Sequence, residues 1–348
     1  MNIIQFVHPD GTRRVGVVDD CDVIDITAGD SQWDSTLKLA QAAIREGCSL
    51  VDKLRLLVGG GERRDYAELW NSHRDAGRGY LLPPVSSESL HCTLITGTGL
   101  THTGSMESRD KMHKEGVDQP ARELPMTDSA KMFQMGIEGG KPAGESRGVA
   151  PEWFYKGNGV NLRAHRDQLE LPAFGRDGGE EPELVGCYFV DEEGTPRRLG
   201  FAIGNEWSDH ATEKINYLYL APSKIRTCAV GPELVLGHDF QDLDVRCTVQ
   251  RDGETIYDSG DLKSGQQFMC HSLANCEDHH FKYPLHRQVG DVHLHFFGTS
   301  QLSYSQRDWK YQSGDEITVA VSDFSRPLIN TVVDGSHETA RPVRVATV

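Results

Sequence analysis

The chain has 348 residues, a net charge of −16 at pH 7, 37% hydrophobic residues and 25% charged ones. That is an ordinary globular composition; it leaves no basic surface for a nucleic-acid backbone, so no nucleic-acid partner is expected. No run approaches about 18 apolar residues, and the start Met1-Asn-Ile-Ile-Gln-Phe-Val-His-Pro lacks the basic and apolar segments of a secretion signal, so no membrane partner is expected and a cytoplasmic location is.

In chain order, Ile3 to Val7 and Arg14 to Val18 alternate around Asp10-Gly11, which predicts strands joined by turns over residues 2–27. Asp34-Ser35 supplies a helix N-cap, and Leu37, Ala40, Ala43 and Ile44 follow at helical spacing. Gly59-Gly60-Gly61 ends that pattern. Leu81-Leu82-Pro83-Pro84-Val85 reads as a stiff linker. It predicts a boundary between a small α+β domain at 1–85 and a larger domain at 86–348.

Leu94 to Gly99 is a short strand that ends in glycines. Residues 103–150 are rich in Gly, Met and charge, with a helical piece at Ser105–Lys114, and read as a lid or a helical insertion. After Pro151 apolar or alternating runs recur at 183–190, 198–204, 244–250, 255–258, 292–297 and 316–322. The expected fold class is α+β, mainly β: a β-rich roll or sandwich with few helices. Eight scattered cysteines without a Cys-x-x-Cys pair read as free thiols of a reducing compartment. His293 and His295, alternating on one strand, and the pair His279-His280 read as structural histidines.

The chemistry concentrates between residues 181 and 206. Glu181-Pro-Glu183 opens an apolar strand, Asp191 to Pro196 is a turn, and a second strand returns to Glu206. Strand side chains repeat every two residues, so Glu181 and Glu183 share a face. The midpoint between 183 and 206 falls at the turn, so a regular hairpin puts Glu183 directly across from Glu206. Three converging carboxylates repel one another unless a cation joins them. An oxygen-only set suits Mg²⁺ or Mn²⁺, with Ca²⁺ as a substitute.

This stretch resembles the fumarylacetoacetate hydrolase superfamily, which carries an Glu-x-Glu pair and, on the returning strand, an acidic residue in an Asn-Asp-x-Ser-Ala-Arg-Asp context. Here the second part is Asn205-Glu206-Trp207-Ser208-Asp209-His210, with Glu206 in place of Asp and Asp-His in place of Ala-Arg-Asp. Further matches are Phe154-Tyr155-Lys156, the segment from Tyr217 through Lys224 to Gly231-Pro232, Phe297-Gly298-Thr299, and the pair from Ser313 to Ile317 and Asn330 to Val332. The resemblance covers roughly residues 92–335. The Lys224 segment resembles the branch that dehydrates 2-keto-3-deoxy sugar acids, as does Gly99-Leu-Thr-His102 followed by Glu107 and Arg109. His102 and Glu107 do not reproduce the spacing of the His-Glu dyad that the hydrolase branches carry.

The resemblance implies a fumarylacetoacetase-like catalytic domain at 86–348, a homodimer, and a small 2-keto acid as substrate. It implies cation ligation by Glu181, Glu183 and Glu206, with the keto acid chelating the cation so that its C3 proton becomes acidic. Glu107, or a hydroxide held by the cation, would be the base, with His102 in the same region. Lys224 would stabilise the enolate. Lys156, Gly298 and Thr299 would hold the substrate. A 2-keto-3-deoxypentonate would then lose water to give 2,5-dioxopentanoate. The same enolate chemistry serves C–C hydrolysis of an acylpyruvate or diketo acid; a sugar-acid-binding protein and an inert β-roll are the remaining readings.

Overall fold

The computed structural model of the chain describes residues 1–107, 126–144, 146–337 and 339–348. Residues 108–125, which include Arg109 and the centre of the expected lid, lie outside the described residues.

Two sheets carry the architecture. Among the described residues the larger has twelve strands. Its path runs β4 (Glu62–Asp65), β3 (Asp22–Asp25), β2 (Arg13–Asp19), β1 (Asn2–Val7), β12 (Cys228–Val235), β11 (Pro196–Asn205), β10 (Pro182–Val190), β16 (Val292–Phe296), β6 (Thr93–Gly99) and β7 (Glu152–Asn158), with β5 (Tyr80–Leu82) beside β1 and β8 (Leu162–Arg163) beside β12. The smaller runs β14 (Glu254–Asp258), β13 (Leu243–Arg251), β17 (Glu316–Val321), β18 (Leu328–Asp334) and β9 (Gln168–Leu171), with β15 (Leu262–Ser264) beside β13. The mainly β reading of the sequence holds. After Pro151 three short α-helices among the described residues escaped it, His210–Ile215, Leu220–Lys224 and Leu273–Phe281, each too brief to show a helical period.

β10 is buried at every position because its two faces meet two cores. Leu184 and Tyr188 pack with Val245, Cys247, Ile317 and Val319 of the smaller sheet. Val185, Cys187 and Phe189 enter a second core with Ile3 of β1 and Leu39, Ala40 and Leu54 of the helices Thr36–Arg45 and Leu50–Leu57. Each such side chain contributes about 1.5–3 kcal/mol by burial. The first of these helices starts where the N-cap signal put it, with the Ser35 side chain accepting from the Lys38 N–H.

Residues 1–85 continue the large sheet. β1 pairs with β12 through Asn2↔Val235 and Ile3↔Leu234. Buried Glu233 accepts from Asn2 Nδ2, Tyr66 O–H and Ser325 N–H. No helix among the described residues is long and apolar enough to cross a membrane.

Strand direction determines where the chemistry collects. β6 and β16 run parallel, so Gly99 and Phe296 finish at the same end of the sheet. β10 is antiparallel to β16, β11 to β10, β12 to β11, and β7 to β6. That end therefore receives the start of β10 with Glu181 and Glu183, the exit of β11 with Glu206, the entry to β12 just after Lys224, and the start of β7 with Phe154. Six strands deliver their ends to one place.

Candidate metal centre

The hairpin has the expected partners but a different register. At the turn, Val190 pairs with Pro196 and Tyr188 with Arg198; past an irregularity, Cys187 pairs with Gly200 and Glu183 with Gly204. Leu199 is the extra residue of a β-bulge, which moves the pairing on by one. The Glu206 N–H donates to Glu181 O at 2.9 Å. Glu206 thus stands beside Glu181, and Glu183 faces Gly204, correcting the expected opposition of Glu183 and Glu206. The alternation still puts all three on one face, and one carboxylate oxygen from each lies within 4.8 Å of the others.

The carboxylates are buried, at 5%, 2% and 0% exposure for Glu181, Glu183 and Glu206, so their charges need partners. The Lys224 ammonium donates to Glu181 Oε1 at 2.5 Å and Glu206 Oε2 at 2.7 Å, and lies over the Phe154 ring. The Lys156 ammonium meets Glu206 Oε1 at 2.9 Å and donates to the carbonyls of Trp207 and Lys224. Ser208 Oγ donates to Glu206 Oε1. Glu183 Oε2 accepts from the Gly298 N–H at 2.7 Å.

Proton affinities follow from these contacts. Burial would raise Glu181, but Lys224 and His210 hold it well below the usual carboxylate range. Burial, then Glu206 and Glu181, push Glu183 well above that range. Burial and Glu181 raise Glu206 against the pull of Lys156 and Lys224. Glu183 is therefore the carboxylate whose charge is least compensated in the absence of a cation. A buried, oxygen-only trio of this kind fits a hard divalent cation such as Mg²⁺ or Mn²⁺, held by Glu181, Glu183 and Glu206.

Glu181 and Glu183 open into a cleft, with Glu206 and Lys224 off its wall. Glu181, Glu183, Gly298 and Thr299 line it, as do Gly99, Leu100, Ser105, Phe154, Leu302, Tyr304, His210 and Glu213. Thr299 Oγ1 donates to Gln301 O. Three expected residues are placed elsewhere. Lys156 is fully buried, behind Glu206 rather than on the wall, because Phe154 and Lys156 project inward from β7 at different depths. Glu107 is in helical conformation with residues 103–106, its side chain exposed and off the cleft wall. His102 is buried and also off the wall; its Nδ1 pairs with Thr101 Oγ1, and burial lowers it to about 4. His295 sits between Thr96 Oγ1 and Thr98 Oγ1, and His293 pairs with His280, as structural core histidines.

His210 and Glu213 were missed. They sit one turn apart on the His210–Ile215 helix, whose N-cap Asp209 accepts from the Thr212 N–H and pairs with Arg226. The His210 Nε2 hydrogen bond to Glu181 Oε1 is 3.0 Å. Gly179 makes room for this ring, since a Cβ there would lie 2.1 Å from His210 Nδ1. The signal was legible in Ser208-Asp209: an N-cap residue three positions past a ligand starts a helix at the site. On the opposite wall, buried Glu180 fixes the loop bearing Leu302 and Tyr304 by accepting from Ser303 N–H, Ser303 Oγ–H and Tyr311 O–H.

Gly298 has φ +89, and a Cβ there would lie 2.2 Å from Thr101 Oγ1 and 3.0 Å from Thr98 O. Gly298→Ala is expected to cost about 2 kcal/mol or more and to turn the N–H away from Glu183. Urea unfolding with Mn²⁺ titration checks both effects; unchanged stability would show that the loop relaxes.

No family model matches the sequence. A probable 2-keto-3-deoxyxylonate dehydratase of Haloferax volcanii is 29% identical over 128 residues, 35% of this chain and 42% of that relative; the match thus spans less than half of the relative. The solved structure of 2-keto-3-deoxy-D-arabinonate dehydratase complexed with magnesium and 2,5-dioxopentanoate matches with TM-score 0.67 at 19% identity, covering 96% of this chain and 99% of that one. Fumarylacetoacetate hydrolase from Exiguobacterium antarcticum matches with TM-score 0.58 at 17% identity, over 96% and 99% of the two chains. At these identities the likeness establishes the fold, the one these fumarylacetoacetate hydrolase-type proteins share.

Proposed function

We propose that this chain, folded as fumarylacetoacetate hydrolase-type proteins are, is a divalent-cation-dependent hydro-lyase that takes water from a 2-keto-3-deoxy sugar acid, with a pentonate yielding 2,5-dioxopentanoate. The observation that carries the reading is the convergence of Glu181, Glu183 and Glu206, two of them bonded by the Lys224 ammonium and two of them facing the cleft. The dehydratases among the matched proteins support the choice of substrate class.

A cleft walled by Glu181, Glu183 and Glu213 repels a keto acid unless a cation is present. When bound, Mg²⁺ supplies the charge that holds the substrate carboxylate and keto oxygen and acidifies C3. The protein does the rest. Thr299 and the backbone at Gly298 form the wall against which the carboxylate end lies. Lys224 balances negative charge that develops on the keto oxygen. Leu100, Phe154 and Leu302 keep bulk water away. Glu213, on the wall, takes the place expected of Glu107: it accepts the C3 proton and returns it to the departing C4 hydroxyl as water, and the unsaturated alcohol that remains rearranges to the C5 aldehyde.

The test is incubation with Mg²⁺ and a 2-keto-3-deoxypentonate, with 2,5-dioxopentanoate detected through an aldehyde dehydrogenase. Two carbon fragments in its place would identify a C–C hydrolase and reject the proposal. Glu213→Gln is expected to lower kcat by about 10²–10⁴-fold with little change in KM; a full-rate variant would remove Glu213 from the mechanism.

A further inference from the structure

Three carboxylates and the ammonium groups of Lys156 and Lys224 gather at the centre, none more than 5% exposed; the ammonium groups pair with Glu181 and Glu206, and Glu183 lies beside these two. Glu213, on the cleft wall, is outside this set. Lys156 is held in its ammonium form by geometry. Its nitrogen faces three acceptors, Trp207 O, Lys224 O and Glu206 Oε1, and only an ammonium has three hydrogens to give. Carboxylates that hold a cation are ionised, so with a divalent cation bound the set carries one net positive charge, which is unfavourable in a buried site. A single substrate carboxylate brings the sum to zero.

We propose that Lys156 and Lys224 make the divalent cation and the carboxylate-bearing substrate bind as a pair, each weakly alone and strongly together. The lysines oppose the cation directly, since they contact oxygens of two of its three ligands. They favour the anion for the same reason. The coupling is reciprocal: whatever the anion adds to cation affinity, the cation adds to anion affinity. Lys156 is thus a positioning and charge-setting residue that never touches substrate, a role its depth behind Glu206 allows. The choice of a keto acid as the anion rests on the function proposed above.

The experiment is a Mn²⁺ titration of the metal-free 348-residue chain, followed by electron paramagnetic resonance of free Mn²⁺, with and without pyruvate. Pyruvate presents the carboxylate and keto oxygen and has no C4 hydroxyl to lose. Pyruvate is expected to tighten Mn²⁺ binding by about tenfold or more. Lys156→Met and Lys224→Met, each checked for folding by circular dichroism, should bind Mn²⁺ alone tighter than the parent and respond less to pyruvate. Mn²⁺ affinity indifferent to pyruvate in the parent chain would overturn the proposal, as would an equal pyruvate response in both variants. Turnover of the keto-deoxy acid without a pyruvate effect rejects the pairing and keeps the function. A pyruvate effect without turnover keeps the pairing and rejects the dehydratase.

Discussion

Glu183→Gln is expected to leave the metal-free protein as stable as the parent or up to about 2 kcal/mol more stable, whereas Glu206→Gln should cost about 3–5 kcal/mol. Both should lose turnover by about 10³-fold or more, since each removes one of three cation ligands. The opposite signs follow from who touches whom. Glu183 meets two like charges and one backbone N–H, and burial with those charges outweighs the pull of Lys224 and pushes its pKa up. A neutral amide of the same shape keeps the acceptor for Gly298 and removes the repulsion. Glu206 accepts from both buried lysines, so an amide there leaves two ammonium groups short of a counter-charge. Urea unfolding in EDTA measures the stabilities and the coupled aldehyde assay measures turnover. If Glu183→Gln loses as much stability as Glu206→Gln, Glu183 belongs to the lysine pairing, and the charge description of the centre is wrong.

That distinction was beyond the sequence, although the residues were not. The alternation of Glu181 and Glu183 with the apolar positions of β10 is a local property of a strand, and it survives folding. Register is not local: one bulged residue, Leu199, changes which glutamate faces which, and nothing in Pro196 to Asn205 marks it. Depth is not local either. Phe154 and Lys156 share a face of β7 by the same period-two rule, yet Phe154 reaches the cleft and Lys156 stops behind Glu206. Glu107 was favoured because a family pattern places an acid on the helix after β6; here that side chain is exposed, while Glu213 reaches the wall from a helix too short to declare itself by periodicity. Strand order was the least legible feature. β16 lies between β10 and β6 only because of long-range pairing, and that pairing brings Gly298 to Glu183.

Acid should destabilise the metal-free protein well before ordinary carboxylates protonate. Six histidines are pushed down by burial: His102 and His271 to about 4, His165, His293 and His295 to about 3, and His280 well below its ordinary value. Each stays neutral in the folded chain and takes up a proton when unfolded below pH 6.5, so its contribution is complete above that pH and lost as pH falls. Glu183 and Glu206 act in the reverse sense: their raised values mean the folded chain holds protons that the unfolded chain releases. Between pH 7.5 and 5.5 the histidines together cost about 8 kcal/mol, and the two glutamates offset part of that loss. The histidine cost is a large part of the roughly 5–15 kcal/mol that holds a typical domain together. Urea midpoints at the two pH values measure the net loss, and a midpoint that does not move would show that these imidazoles find protons inside the fold. Glu183→Gln provides the internal control. It removes one of the two offsetting groups, so over the same interval the variant must lose more stability than the parent, even though it starts level with or above it at pH 7.5.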